Sequence, residues 1–99
     1  MVNQLRFHPE TARDLSAATA YYNKISARMG RRFRDAIGIR FKAIVDRPDS
    51  FGCIHDQQRA ALVYGFPYVI MFVKSAQVVT VLGIFHAASD QSGWFTRSG

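Results

Sequence analysis

Arg59-Ala-Ala-Leu-Val-Tyr64-Gly65-Phe-Pro67-Tyr68-Val-Ile-Met-Phe-Val-Lys74-Ser-Ala-Gln77-Val78-Val-Thr-Val-Leu-Gly-Ile-Phe-His86 is the stretch that decides the fold. Its β-branched and aromatic residues suit a pleated, half-buried surface. Gly65 and Pro67 break it once, and Lys74-Ser75-Ala76-Gln77 breaks it again. Three short strands result, over about 60–64, 68–74 and 78–86, and they read as an antiparallel meander. Pro67 falls at the start of a strand, where a ladder tolerates a missing N–H. Polar residues mark the strand ends: Arg59, Tyr64, Tyr68, Lys74 and His86. A sheet this apolar needs cover, and the first half of the chain is patterned to supply it.

Upstream, Leu5 and Phe7 alternate with Gln4 and Arg6, which predicts a further short strand over 2–7. Pro9 suits the first position of a helix, because its missing N–H would have no intrahelical partner there. Glu10 then falls in the first turn, where the helix dipole favours a negative charge. The spacing predicts a helix over 9–24, with Ala12, Leu15, Ala18, Thr19 and Tyr22 on one face. Ser26 to Gly30 reads as a break, with Gly30 its weak point. A second helix is predicted over 31–46, with Phe33, Ile37, Phe41, Ile44 and Val45 as its stripe. Gly38 costs that helix about 1 kcal/mol relative to alanine, so a close approach to a neighbour is expected there. Arg47-Pro48 ends it, since the residue before proline avoids helical geometry. Residues 49–58 read as a loop, with Cys53 a small packed residue rather than a nucleophile. In the tail, Trp94 and Phe95 are expected to fold back onto the domain or to await a partner. The expected fold class is α+β: two layers, an antiparallel sheet packed against an N-terminal helical hairpin, in the order β-α-α-β-β-β.

The chain has 99 residues, which predicts one domain over 1–99. No apolar run precedes Pro9, so no secretory leader is expected. The longest apolar run, Phe66 to Val73, is far short of the roughly 20 residues a bilayer requires. One cysteine excludes an internal disulfide and a multi-cysteine zinc site. A cytoplasmic protein without metal or cofactor is the expectation. The net charge is +6, and residues 28–47 hold seven basic and two acidic residues, 7 − 2 = +5. That segment is either a solvated helix face or a patch for an acidic partner.

Taken in order, several passages carry a resemblance. Phe7-His8-Pro9-Glu10 with Asp14-Leu15 opens the first helix, and Tyr21-Tyr22 with Ile25-Ser26 closes it. Gly30-Arg31-Arg32-Phe33 and Ile44-Val45-Asp46-Arg47-Pro48 bracket the second. Arg59 and Phe66-Pro67-Tyr68-Val69-Ile70 follow, then Val81-Leu82-Gly83-Ile84-Phe85-His86 with Trp94 and Arg97 behind. In this arrangement the chain resembles the RelE/ParE superfamily, toxins of bacterial type II toxin–antitoxin pairs, and within it the ParE-like branch. It departs after His86, where the family commonly places arginine: here the residues are Ala87-Ala88-Ser89-Asp90.

The resemblance implies two activities. A ParE-type toxin binds DNA gyrase and needs no catalytic residues. A RelE-type toxin is an endoribonuclease that cuts mRNA on the ribosome. Attack by a 2′-hydroxyl needs a base, an acid and positive charge near the phosphate. Arg59, Tyr68, His86 and Arg97 are the candidates for those roles, with Tyr64 or Tyr68 able to stack on a base. Each also has a structural role open to it. Few basic residues on the last strands, and none directly after His86, favour the binding toxin. A third reading, motivated by Ala88-Ser89, is an inactive relative that keeps only antitoxin binding. The toxin readings imply a cognate antitoxin that folds onto the chain, a heterotetramer being one assembly open to the pair. Arg31, Arg32, Arg34, Phe33 and Ile37 on the second helix are the antitoxin-binding candidates.

Overall fold

The chain is described by a computed structural model covering residues 2–98. Strand β1 (Gln4–Phe7) leads into helices α1 (Thr11–Ile25) and α2 (Ala27–Asp46). A 3₁₀ turn (Pro48–Ser50) precedes strands β2 (Cys53–His55), β3 (Gln58–Leu62), β4 (Tyr68–Ser75) and β5 (Val78–His86). A second 3₁₀ segment, Gln91–Phe95, closes the chain as a strap. The α+β class and the helical hairpin on a sheet stand as expected. Among the described residues, no helix is long and apolar enough to cross a membrane.

The sheet has five strands in the order β1-β5-β4-β3-β2. The meander is antiparallel, but β1 runs parallel to β5, with Gln4 opposite Val78 and Phe7 opposite Val81. Parallel pairing needs a long connection, and the two helices provide one. The fifth strand, β2, lies in the segment read as a loop. It is three residues long and exposed throughout, so it has no alternation to betray it. Cys53 is therefore an exposed edge residue, not a packed one.

A bulge sorts the side chains of β5. Met71 pairs with Gly83 and Phe72 with Val81, which leaves Leu82 as the extra residue. Val79, Val81 and Ile84 consequently all face the helices, while Leu82 and Phe85 face the other way. The helix-side core joins Tyr22, Phe33, Ile37 and Ile44 to Ile70, Phe72 and the β5 residues. The rear face is smaller: Val69, Met71 and Leu82 lie beneath Trp94 of the strap. Of the two courses expected of Trp94, folding back or awaiting a partner, the structure shows the first.

The helices differ from expectation at their ends. Pro9 is not the first helical residue. The Glu10 N–H donates to His8 Nδ1 at 3.1 Å and the Thr11 N–H to the His8 carbonyl at 2.9 Å. That turn delays α1 to Thr11 and makes Glu10 its N-cap residue, leaving Asp14 as the acid of the first turn. Thr11, not Ala12, joins Ala18 and Tyr22 on the buried face. The break between the helices is the single residue Ser26. Its backbone is extended and its Oγ accepts the Met29 N–H at 3.1 Å, an N-cap that lets α2 begin at once. Gly30 is thus inside α2. A Cβ there would overlap the Asn23 amide, so this is the glycine where the helices approach closely. Gly38 has open space around it, and the close contact expected there is absent.

Candidate functional site

Of the four nuclease candidates, the sheet brings two together. Tyr68 and His86 are paired across β4 and β5, their rings 5.2 Å apart and nearly perpendicular. His86 Nδ1 accepts the Ala88 N–H at 3.0 Å, so in the neutral ring the proton sits on Nε2. Burial, then the neighbouring Tyr21, pushes the Tyr68 hydroxyl above the usual tyrosine value. A phenol that holds its proton so firmly is no base at neutral pH. Arg59 is opposite Phe72, four residues further along β4, or about 13 Å away at strand spacing. Its guanidinium donates to the Phe51 carbonyl at 2.5 Å and lies 3.6 Å from Asp49. Arg97 is held at the edge of β5 by Asp14 and the Leu82 carbonyl. Neither guanidinium joins the Tyr68–His86 pair.

Arg97 and Asp14 close an open strand edge. β1 ends at Phe7, so β5 beyond Val81 has no strand on that side. Asp14 reaches across from the first turn of α1. Its Oδ2 accepts the Ile84 N–H at 3.0 Å and the Arg97 Nη1–H at 2.5 Å, while Oδ1 accepts from Nη2 at 3.1 Å. Arg97 Nη1 also donates to the Leu82 carbonyl at 3.1 Å. The bidentate pair therefore supplies the acceptor and donor that a further strand would have supplied. Its hydrogen bond to Asp14 holds the Arg97 proton above the ordinary arginine value, against a smaller opposing effect of burial. Gly83 sits beneath this pair, and a Cβ there would overlap Arg97 and the Phe85 ring.

The strap depends on its own cap. Asp90 Oδ1 accepts from both Ser92 N–H and Ser92 Oγ–H at 3.0 Å. Those bonds, the backbone one first, pull the Asp90 pKa below the ordinary carboxylate value. Trp94 Nε1–H donates to Ser89 Oγ at 2.8 Å, and Phe95 stacks on His55 at 4.4 Å. Because the folded pKa is depressed, the cap acts in full above about pH 4 and is lost as pH falls through the lowered value. Trp94 is the one tryptophan, so its emission reports the strap. The expected result is an acid step in Trp94 fluorescence that Asp90→Asn, which caps without titrating there, lacks. Identical steps in both proteins would refute this.

The second helix offers a different kind of site. Phe33 and Ile37, read as antitoxin contacts, are 0 % and 2 % exposed. Both are consumed by the core and are withdrawn as contact residues. The apolar residue that faces outward is Ile39, 71 % exposed. It lies off the buried stripe, a signal the sequence carried. With Arg32, Asp35 and Ala36 it borders a groove of about 270 Å³ whose other wall is Tyr64, Gly65 and Phe66. At Ile39 this meets a hollow of about 420 Å³ where Arg40, Lys42 and Arg47 outnumber the one acid, Asp46, beside Phe51. Tyr64 and Leu62 beside it are both largely exposed. β2 pairs with β3 only at Gln58 and Arg59, with one more bond from the Ala60 N–H to the Gly52 carbonyl. Among the described residues, no strand lies beside the edge of β3 at Leu62. Arg32 is at the rim of this flank. Arg34 is on the opposite flank, against α1, and Arg31 falls between them by helical spacing.

A helical hairpin on a mixed five-stranded sheet, with Arg59 and Arg97 apart from the Tyr68–His86 pair and an exposed apolar flank along α2, is the class of molecule these features define. Among solved structures, that fold recurs in a chain of the chromosomal ParDE TA system from P. aeruginosa. The match has a TM-score of 0.73 and covers 84 % of this chain and 94 % of that one, at 15 % identity. The likeness is one of fold. No family model matches the sequence, and no curated protein matches it.

Proposed function

We propose that this chain is the toxin of a type II toxin–antitoxin pair, acting in the ParE manner by docking on DNA gyrase in the cytoplasm. The observation that carries this reading is the fold shared with a ParDE chain over most of both molecules. The scattering of Arg59 and Arg97 away from Tyr68 and His86 supports binding over cleavage. The test is induced expression without antitoxin, followed by a gyrase supercoiling assay. Growth arrest with loss of supercoiling is expected. Arrest with intact supercoiling and cleaved ribosomal mRNA would favour the RelE-type reading, for which the Tyr68–His86 contact is the one supporting feature. Normal growth would favour the inactive relative.

The antitoxin, in this reading, lays an acidic amphipathic segment along the outer flank of α2, anchored on Ile39 and Tyr64 and rimmed by Arg32 and Arg40. The other apolar hollow, about 370 Å³ beside Phe7 and Phe41, has no lysine or arginine in its lining and suits an acidic partner less well. Ile39→Asp is expected to weaken antitoxin binding about tenfold or more, by removing an anchor and adding a like charge. Unchanged affinity in a titration of the purified pair would refute the placement.

A further inference from the structure

We propose that the outer face of the helical hairpin, on the α1 side of α2, binds the phosphate backbone of duplex nucleic acid. This surface adjoins the Ile39 flank along Arg28 and Arg32 and turns from it toward α1 at Arg31 and Arg34; it does not depend on the toxin reading. Residues 11–35 contain six basic side chains (Arg13, Lys24, Arg28, Arg31, Arg32, Arg34) and two acids, Asp14 and Asp35, so 6 − 2 = +4 resides on the hairpin there, with Arg32 and Asp35 at the edge shared with the Ile39 flank. Asp14 is spent on Arg97 at the β5 edge. Among the described residues, none of the six cations has an ion-pair partner within 4.0 Å.

Arg28, Arg31 and Arg34 recur at intervals of three, forming a ridge that drifts toward α1. The ridge spans about 9 Å of helix axis, the reach of two to three successive phosphates at about 3.4 Å of rise each. Beside it, between the helices, runs a groove of about 340 Å³ bordered by Arg34, Ser16, Thr19 and Asn23. The Thr19 Oγ1 atom is buried there without a hydrogen-bond partner among the described residues. A buried hydroxyl left unpaired is unfavourable, and a turn of the Thr19 side chain into the groove would let a phosphate oxygen seated against Arg34 accept its proton.

The face lacks what other anionic partners need. Protein interfaces centre on apolar or aromatic anchors, and single-strand binders interleave aromatic rings with their cations. Most of the exposed large apolar residues lie elsewhere, and Ile25, the last residue of α1, shares the Tyr21 side of that helix by spacing. Ile39, Leu62 and Tyr64 are on the far flank of α2, Phe7 and Ile54 are on strands, and Tyr21 is two turns on from Asp14, facing β5. What remains between the helices is a shallow groove lined by Ser16, Thr19, Asn23 and Arg34 with the small Ala20, without an aromatic anchor, and suited to a sugar–phosphate backbone.

The test is fluorescence anisotropy of the full chain with a short, mixed-sequence, labelled DNA duplex across a salt series. With about three phosphates neutralised, log affinity is expected to fall against log salt with a slope of about −3. Arg28→Gln, Arg31→Gln and Arg34→Gln together remove most of that slope, about 0.9 for each arginine, while Arg47→Gln leaves it unchanged. Thr19→Val gives a second, independent readout. Removing an orphan hydroxyl raises the thermal midpoint, yet loses about threefold in duplex affinity. The proposal is overturned by any one of four results: no binding at low salt, a triple variant with the parental slope, tighter binding to a single strand than to the duplex, or equal competition by polyglutamate of matched charge.

Discussion

Replacing Asp14 with alanine lowers stability by about 3 kcal/mol and the thermal midpoint by about 15 °C for a domain of this size. Asp14 and Arg97 are only 14 % and 16 % exposed at the side chain, so solvent screens the pair weakly. Removing the carboxylate strands three donors at once: the Ile84 N–H and two N–H groups of Arg97. Each loses its partner without gaining full access to water. Asp14→Asn keeps an acceptor for the Ile84 N–H and is expected to lose about half as much. A double-mutant cycle with Arg97→Ala isolates the pair itself, with a coupling of about 1–3 kcal/mol expected. Additive single-mutant losses would mean that the clamp is a surface contact. Arg97, a catalytic candidate from the sequence, is held in this structure by Asp14 and the Leu82 carbonyl.

Phe33→Ala is expected to do more, about 4 kcal/mol. Phe33 is fully buried and stacks on Tyr22 at 5.0 Å. It also meets the edges of Phe66 and Tyr68, each at 5.2 Å. The truncation leaves a hole walled by three aromatic rings held by α1, the β3–β4 connection and β4, which cannot collapse together. Aromatic pairs add about 0.5–1.5 kcal/mol each beyond buried area, so the ring counts for more than its size. Urea denaturation provides the check, with a lower midpoint and an unchanged slope. Phe33→Leu, which fills much of the volume, should recover about half of the loss. A loss below about 1 kcal/mol for Phe33→Ala would place the core elsewhere.

The helices and the meander were legible because their signals are local. The stripe Phe33, Ile37, Ile44 repeats within a few residues, and strand β5 runs over Val78–His86, the span its composition predicts. The pairing of Tyr68 with His86 follows from a tight hairpin between them. Ile39 was legible too, as an apolar residue out of phase with its own helix, but periodicity draws the eye to the stripe and away from the exception. Phe33 and Ile37 were misplaced as contacts for the same reason: an apolar face shows that something covers it, not what. The start of α1 was misjudged because a histidine ring and a carbonyl, not proline geometry, control that turn.

Taken alone, the amino-acid order determined the kinds of element, their sequence along the chain, the α+β class and the concentration of positive charge near the hairpin. Each of those rests on neighbours a few residues apart. The tertiary structure decided which way β1 runs, that β2 exists, and that Asp14 and Arg97, 83 positions apart, meet over the edge of β5. It also decided that Trp94 covers the rear face. Such contacts form because the fold leaves a particular backbone edge or apolar face unpaired. That vacancy exists only once the strands have assembled, so no local pattern can encode it.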